Sequence, residues 1–325
     1  MRRRGLIATA CLAALGAQAQ GQPPAPEWPN RPIRLIVPFP PGGPNDIFAR
    51  LLAPHYTALL RQPVVIENRG GGGGVVGTDA AIKATPDGHT LTLTNGGSLV
   101  ITPHVSANMP YRVPDDVSLI SVVTRVPEAL VIHPRHGLYS LPALAEQAKR
   151  QPGRFNIGTA GAGGISHLAA ELFKRQAGIE ITVAPYRGAA PAVTDLVAGT
   201  IDLLFADLPV LLPQIRAGSL VALAMASSQR SPSLPEVPTT AEAGYPGVLA
   251  DNWYALVGPA RLPDPVLARL SAVIREVSRM PEVRDVLAAQ GAEAVWTAPA
   301  DFAAFVQRES AKWREVALAS GAKLD

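Results

Sequence analysis

Two segments of the chain share one order of parts: an apolar strand, a Gly/Pro-rich loop and a helix. The first runs Arg34-Leu-Ile-Val-Pro-Phe39, then Pro40-Pro-Gly-Gly-Pro-Asn-Asp46, then Ile47-Phe-Ala-Arg-Leu-Leu52. The second runs Phe155-Asn-Ile-Gly-Thr159, then Ala160-Gly-Ala-Gly-Gly164, then Ser166-His-Leu-Ala-Ala-Glu-Leu-Phe173. A strand that turns through a bare-backbone loop into a helix leaves first-turn N–H groups open, at the positive end of the helix dipole. Two such units far apart in the chain predict two lobes gripping one small anion. The alternative reading of the first loop is a plain strand-to-helix turn, with Gly43 at the N-cap and Pro44 at the first helical position.

The rest of the chain fits that frame. Strands are expected at 33–39, 64–67, 90–94, 119–123, 130–133, 155–158, 181–184, 203–206, 220–226 and 254–258. Helices are expected at 47–60, 75–84, 141–150, 166–177, 189–198, 265–278, 281–290 and 300–319. Most of the strands are continuously apolar, as strands covered on both faces should be. Alternating strands and helices predict an α/β fold with largely parallel sheets. Ligands of such sheets bind beyond the carboxyl ends of the strands, where both Gly-rich loops sit.

The first 19 residues read as a signal peptide. Arg2, Arg3 and Arg4 form a basic start, Leu6 to Ala17 a short apolar stretch, and Ala17-Gln18-Ala19 a small-x-small cleavage site. Export to the periplasm is the expectation, with the mature chain starting near Gln20. The chain has 29 Lys+Arg and 26 Asp+Glu, and the leader holds three Arg and no acid, so 26 of each remain. A sequence pI of 9.2 is therefore no footprint of nucleic-acid binding. The single Cys, Cys11, falls in the leader, which leaves no thiol for a disulfide or a metal. No later apolar run reaches 18 residues, so the mature chain is expected to be soluble.

Around the two loops, Thr159, Ser166 and His167 supply donors beside the second glycine turn. Ser166 is a candidate N-cap and His167 a candidate donor to an anion. Asp46, in the first turn of its helix, either caps backbone or meets a donor on the ligand. Asn95 and Ser98, in Thr94-Asn-Gly-Gly-Ser98, end another strand and form a candidate third wall. Gly72, Gly74 and Gly77 satisfy G-x-G-x-x-G, but no acidic strand end follows about 20 residues on, so a dinucleotide site is not expected. His133-Pro-Arg-His136 lacks the helix and the Glu of a zinc-protease motif. Neither Ser98 nor Ser166 stands in a nucleophile motif. The residues point to a binder rather than an enzyme, with no cofactor and no metal.

The set of motifs resembles the Bug family, the solute-binding proteins of tripartite tricarboxylate transporters. It comprises Trp28-Pro-Asn-Arg-Pro-Ile33, Val37-Pro-Phe-Pro-Pro-Gly-Gly-Pro-Asn-Asp46, Pro63-Val-Val-Ile-Glu-Asn-Arg69 and Pro86-Asp-Gly-His-Thr90. It continues through Ser166-His-Leu-Ala-Ala-Glu-Leu-Phe173, Pro185-Tyr-Arg-Gly-Ala-Ala-Pro191, Leu234-Pro-Glu-Val-Pro-Thr239, Pro281-Glu-Val-Arg284 and Trp313. The resemblance implies a type II periplasmic binding-protein fold that closes on a small carboxylate and presents it to a membrane permease. One lobe is expected over 20–125 with 251–325 and the other over 126–250, hinged near 123–129 and 249–254. It implies first-lobe ligand contacts at Phe39, Pro41, Gly42, Gly43, Asp46, Asn95 and Ser98. Second-lobe contacts are implied at Thr159, Ala160, Gly161, Gly163, His167 and Asp207. The family usually reads Phe-Asp-Asn where this chain has Phe205-Ala206-Asp207, which displaces the carboxylate by one position. Gly70 stands where the family often has Pro. A monomer is expected. A receptor-docking sensor and a secreted carboxylate enzyme with His167 as base are the alternatives.

Overall fold

The computed structural model describes residues 28–320, so the signal-peptide reading lies outside the described residues. In chain order the elements are β1 (Ile33–Val37), α1 (Pro44–Leu60), β2 (Val64–Asn68), α2 (Val75–Ile82), β3 (Thr90–Asn95) and α3 (Thr102–Val105). Next come β4 (Val117–Ile132), α4 (Leu141–Arg150), β5 (Asn156–Thr159), α5 (Ile165–Ala177), β6 (Thr182–Pro185) and α6 (Ala189–Val197). Then follow β7 (Leu203–Asp207), α7 (Leu208–Arg216), β8 (Val221–Met225), β9 (Asp251–Pro259) and α8 (Asp264–Val277). The chain closes with α9 (Pro281–Ala289), β10 (Glu293–Ala294) and α10 (Pro299–Ser320).

The strands run β2-β1-β3-β9-β4-β7-β5-β6, with β8 and β10 also paired to β4. Within each half the pairing is parallel: β2, β1 and β3 on one side, β6, β5 and β7 on the other. The two middle strands break the parallel expectation. β9 is antiparallel to β3 and β4, and β4 is antiparallel to β7 and β8. Both run from one half of the molecule towards the other, so they oppose the strands they meet.

The expected strands 119–123 and 130–133 are the two ends of one strand, β4. Between them Arg125, Pro127 and Glu128 interrupt the apolar pattern, which made one strand read as two. β4 pairs with β9 through Pro127 and with β7 from Glu128 onward. Pro127, with no N–H to donate, thus falls where the strand changes partner. α7, which contains Pro209 and Pro213, has no counterpart among the expected helices. Pro209 stands in the first turn, where no intrahelical donor is needed, and Pro213 forfeits only one early bond.

One apolar core lies under β1, β3 and β9 and is covered by α1, α8 and α9, with Phe48, Leu93, Leu256 and Ile274 inside it. A second is built from β5, β7, α4, α5 and α10. α10 touches both the 97–101 turn and α5, so the last helix spans the two halves.

The Gly70–Gly74 run forms a defined turn rather than a loose one, with Gly71 to Gly74 all at positive φ, and it leads into α2. Gly77, in the first turn of α2, has no room for a side chain: a Cβ there would stand 2.4 Å from the Arg69 carbonyl and 2.6 Å from Pro38 Cα. Both are backbone atoms, so α2 itself must retreat from β1. Gly77→Ala is expected to cost about 1–3 kcal/mol by overpacking, read as a lowered urea midpoint with unchanged slope. A gain in stability, as for an exposed helical Gly→Ala, would show that the close approach is not real.

Candidate functional site

Four helices start at one cleft. The residues just before α1, α5, α6 and α7 are Gly43, Gly164, Gly188 and Asp207, and all four line it. None of these caps accepts a side-chain hydrogen bond from its own first turn. The positive ends of the four helices therefore converge on the cleft. Phe39 and Pro40 are the apolar walls of the cleft, with Asn45, Gly73 and Gly97 beside them. No Lys, Arg or His lines it among the described residues. An anion here would be met by backbone and helix dipoles.

The floor is a polar row from neighbouring strands. Asn95 pairs with Tyr254 across β3 and β9, and Glu128 pairs with Asp207 across β4 and β7. Asn252 Nδ2 donates to Asp207 Oδ1 at 3.0 Å and Oδ2 at 3.1 Å, and Tyr254 Oη donates to Oδ2. Burial pushes the Asp207 carboxyl up to about 6, against the lowering effect of the Tyr254 and Asn252 bonds. Glu128 is pushed well above the ordinary range, by burial first and by Asp207 second.

Of the thirteen residues expected at the site, Phe39, Gly43, Asn95, Ala160, Gly161 and Asp207 line the cleft. The other seven are outside its wall, and several brace it. Asp46 Oδ2 accepts from the Gly42 N–H at 3.0 Å and from Arg50 Nε at 2.9 Å, while Oδ1 accepts from Asn68 Nδ2 at 2.9 Å. Burial alone would raise Asp46, but these hydrogen bonds outweigh it and hold the carboxyl below its ordinary value. Gly42 has φ +81, a conformation a side chain would strain, and with Pro41 it lies on the exposed outer side of the loop.

Ser98 Oγ donates to the Gly73 carbonyl at 3.1 Å and is fully buried. Thr159 Oγ1 donates to the Gly161 carbonyl at 3.4 Å. Ser166 is not the N-cap of its helix: Gly164 is, and Ser166 Oγ accepts from the Ala160 N–H at 2.9 Å. His167 Nδ1 accepts from the Gly163 N–H at 2.9 Å, and burial lowers its pKa. The half-buried ring is thereby tied to the loop through Nδ1, with the proton left on Nε2.

The two histidines of the H-x-x-H segment have separate tasks. His133 Nδ1 accepts from the Arg135 N–H, and His136 Nε2 meets Asp202 at 2.9 Å.

A family model described as "Tripartite tricarboxylate transporter family receptor" matches residues 48–321. The chain belongs to that family. It is 40% identical over 301 residues to Protein BugT of Bordetella pertussis, covering 92% of each chain. Among solved structures it resembles R. palustris Rpa4515 with adipate, with TM-score 0.88, 32% identity and coverage of 91% of this chain and 99% of that one. It also resembles MatC from Rhodopseudomonas palustris with bound malate, with TM-score 0.84, 31% identity and coverage of 89% and 99%. The mixed α/β fold is thus that of solved periplasmic solute-binding proteins, with which a two-lobe arrangement is consistent.

The structure adds site residues to those expected: Asn45, Gly188, Ala189, Ala190, Glu128, Asn252 and Tyr254. Glu128 carried a readable signal, a lone charge inside an apolar strand. The Gly188-Ala-Ala-Pro start of α6 repeats the logic of the other two glycine-led helices. Asn252 and Tyr254 gave no signal, because their role depends on which strand β9 meets. The displaced Asp207 is also accounted for. Ala206 lies in the apolar core with Leu204 and Leu208, and Asp207, one residue on, takes the opposite face and reaches the cleft.

Proposed function

We propose that the chain is a periplasmic receptor that closes two lobes over a small organic carboxylate and delivers it to a tripartite tricarboxylate transporter permease. The observation that carries this is the convergence of glycine-capped helix N-termini on a cleft with no cationic side chain. The adipate and malate held by the two solved relatives support it. In this reading the lobes comprise 20–125 with 251–325 and 126–250, and close where β4 and β9 pass between them. The protein acts as a monomer and without catalysis. His167, tied through Nδ1 to the loop, is not free as a general base on that nitrogen.

Thermal melts of the exported protein against a carboxylate panel test the binding step. A ligand at about 100 times its Kd is expected to add about 2.7 kcal/mol of stability, with a matching small acid retained in native mass spectrometry. A panel with no shift and no retained acid would overturn the reading. Uptake lost on deletion of the partner permease distinguishes delivery from sensing, and turnover abolished by His167→Ala would revive the enzyme alternative.

A further inference from the structure

We propose that the ligand carries a protonated amine besides its carboxylate, and that Glu128 and Asp207 receive that amine on the cleft floor. The proposal rests on the carboxylate reading above and specifies the second half of the same ligand.

The observation is an unanswered buried acceptor. Glu128 is 1% exposed and lines the cleft, yet its Oε2 has no hydrogen-bond partner. It stands directly opposite Asp207 in the β4–β7 pair, so the two side chains project from the same face about 5 Å apart at Cβ. Asp207 is already served, by two contacts from Asn252 and one from Tyr254. That donor set suits an ionised carboxylate. Glu128 has nothing comparable.

Two carboxyls therefore share the floor, with Tyr254 the remaining titratable group beside them and no cationic side chain in the wall among the described residues. Among the described residues no group of three or more His, Cys, Asp or Glu is placed to hold a metal. A buried acid left this way either keeps a proton or waits for a cation. The carboxylate end of a ligand has its place elsewhere, at the glycine-capped starts of α1, α5 and α6. A second carboxylate on the floor would face Asp207 and be repelled. An ammonium group offers three donors and answers Glu128 and Asp207 together.

The two possibilities move protons in opposite directions. Burial holds the Glu128 carboxyl well above its ordinary value. An incoming ammonium displaces that proton to solvent, whereas a second carboxylate would keep it in place as a shared hydrogen bond.

The test is calorimetry of the folded chain at pH 7 in two buffers of different ionisation heat. The probes are the α,ω-dicarboxylates from succinate to suberate, each matched with the ω-amino and 2-amino carboxylates of the same carbon count. Terephthalate is matched with 4-(aminomethyl)benzoate. The expected result is an amino compound that binds at least about tenfold tighter than its dicarboxylate match and releases a proton on binding. Glu128→Gln and Asp207→Asn are each expected to reduce that preference by about tenfold or more. Circular dichroism checks that both variants fold, and Glu128→Gln, which keeps shape and volume, decides the matter if the other does not.

A dicarboxylate that binds more tightly than its amino match, without proton release and with Glu128→Gln leaving the order unchanged, would overturn this proposal and leave the carboxylate reading standing. Failure of every probe to bind would overturn both.

Discussion

Trp313→Ala is expected to remove about 3–5 kcal/mol of stability, as full truncation of a buried aromatic does. Trp313 is fully buried and is the bulkiest such side chain among the described residues. It lies on α10, in the core that also holds Phe155, Phe173, Phe205, Trp253 and Phe302. Its Nε1 donates to Glu309 at 3.1 Å, and truncation removes that bond with the ring, leaving the half-buried Glu309 without this donor. Domains of this kind are stable by only about 5–15 kcal/mol, so the loss is a large share of the total. The effect reaches the cleft through neighbours. Phe302 and Phe305 of α10 pack edge-on against Trp253 at 5.7 and 5.2 Å. Trp253 in turn sits between the cleft residues Asn252 and Tyr254. Urea melts of the two proteins decide the point: a loss under about 1 kcal/mol would show that α10 is a loosely attached strap rather than part of the cooperative unit.

The second large effect concerns pH. Glu128→Gln is expected to stabilise the empty protein increasingly as pH rises. The folded state raises the Glu128 pKa well above that of the unfolded chain. Over the window above about pH 4.5 where the fold keeps this proton and the unfolded chain has lost it, rising pH favours unfolding. The slope is up to about 1.4 kcal/mol per pH unit for one proton. Gln has no proton to lose and escapes that slope. Asp207 and Asp251, each pushed up to about 6 chiefly by burial, act in the same direction in both proteins. Asp46 and Asp202, held below their ordinary values, have the opposite sign and lose their contribution only in acid. Denaturation midpoints at pH 5, 6, 7 and 8 should diverge steadily between wild type and variant. Parallel curves would mean that Glu128 ionises as freely in the fold as out of it.

These two residues mark the limits of what the chain discloses by itself. Phe302, Val306 and Trp313 repeat at helical spacing in an otherwise polar segment, so a buried face on the last helix could be read directly from the sequence. What could not be read was the neighbour, since α10 meets both halves of the molecule. Glu128 was visible as a charge in an apolar strand, but its meaning depends on Asp207, almost 80 residues away and brought opposite it by strand register.

The sequence by itself determined the local pieces: alternating strands and helices, and glycine-led helix starts at 42–43 and 160–164. Each follows from spacing and side-chain chemistry within a few residues, where backbone sterics and hydrogen bonding act. The family resemblance also followed from motifs alone. Only the tertiary structure decided that β4 is one strand passing between the halves and that α6 and α7 add their N-termini to the cleft. The same holds for the seven expected contacts outside the cleft wall, Asp46 and His167 among them, and for the Asn95, Tyr254, Asn252, Asp207 and Glu128 floor. Those features depend on pairings between segments far apart in the chain. A side chain's neighbours across a sheet are fixed by register and by which strands meet, and no local pattern encodes either.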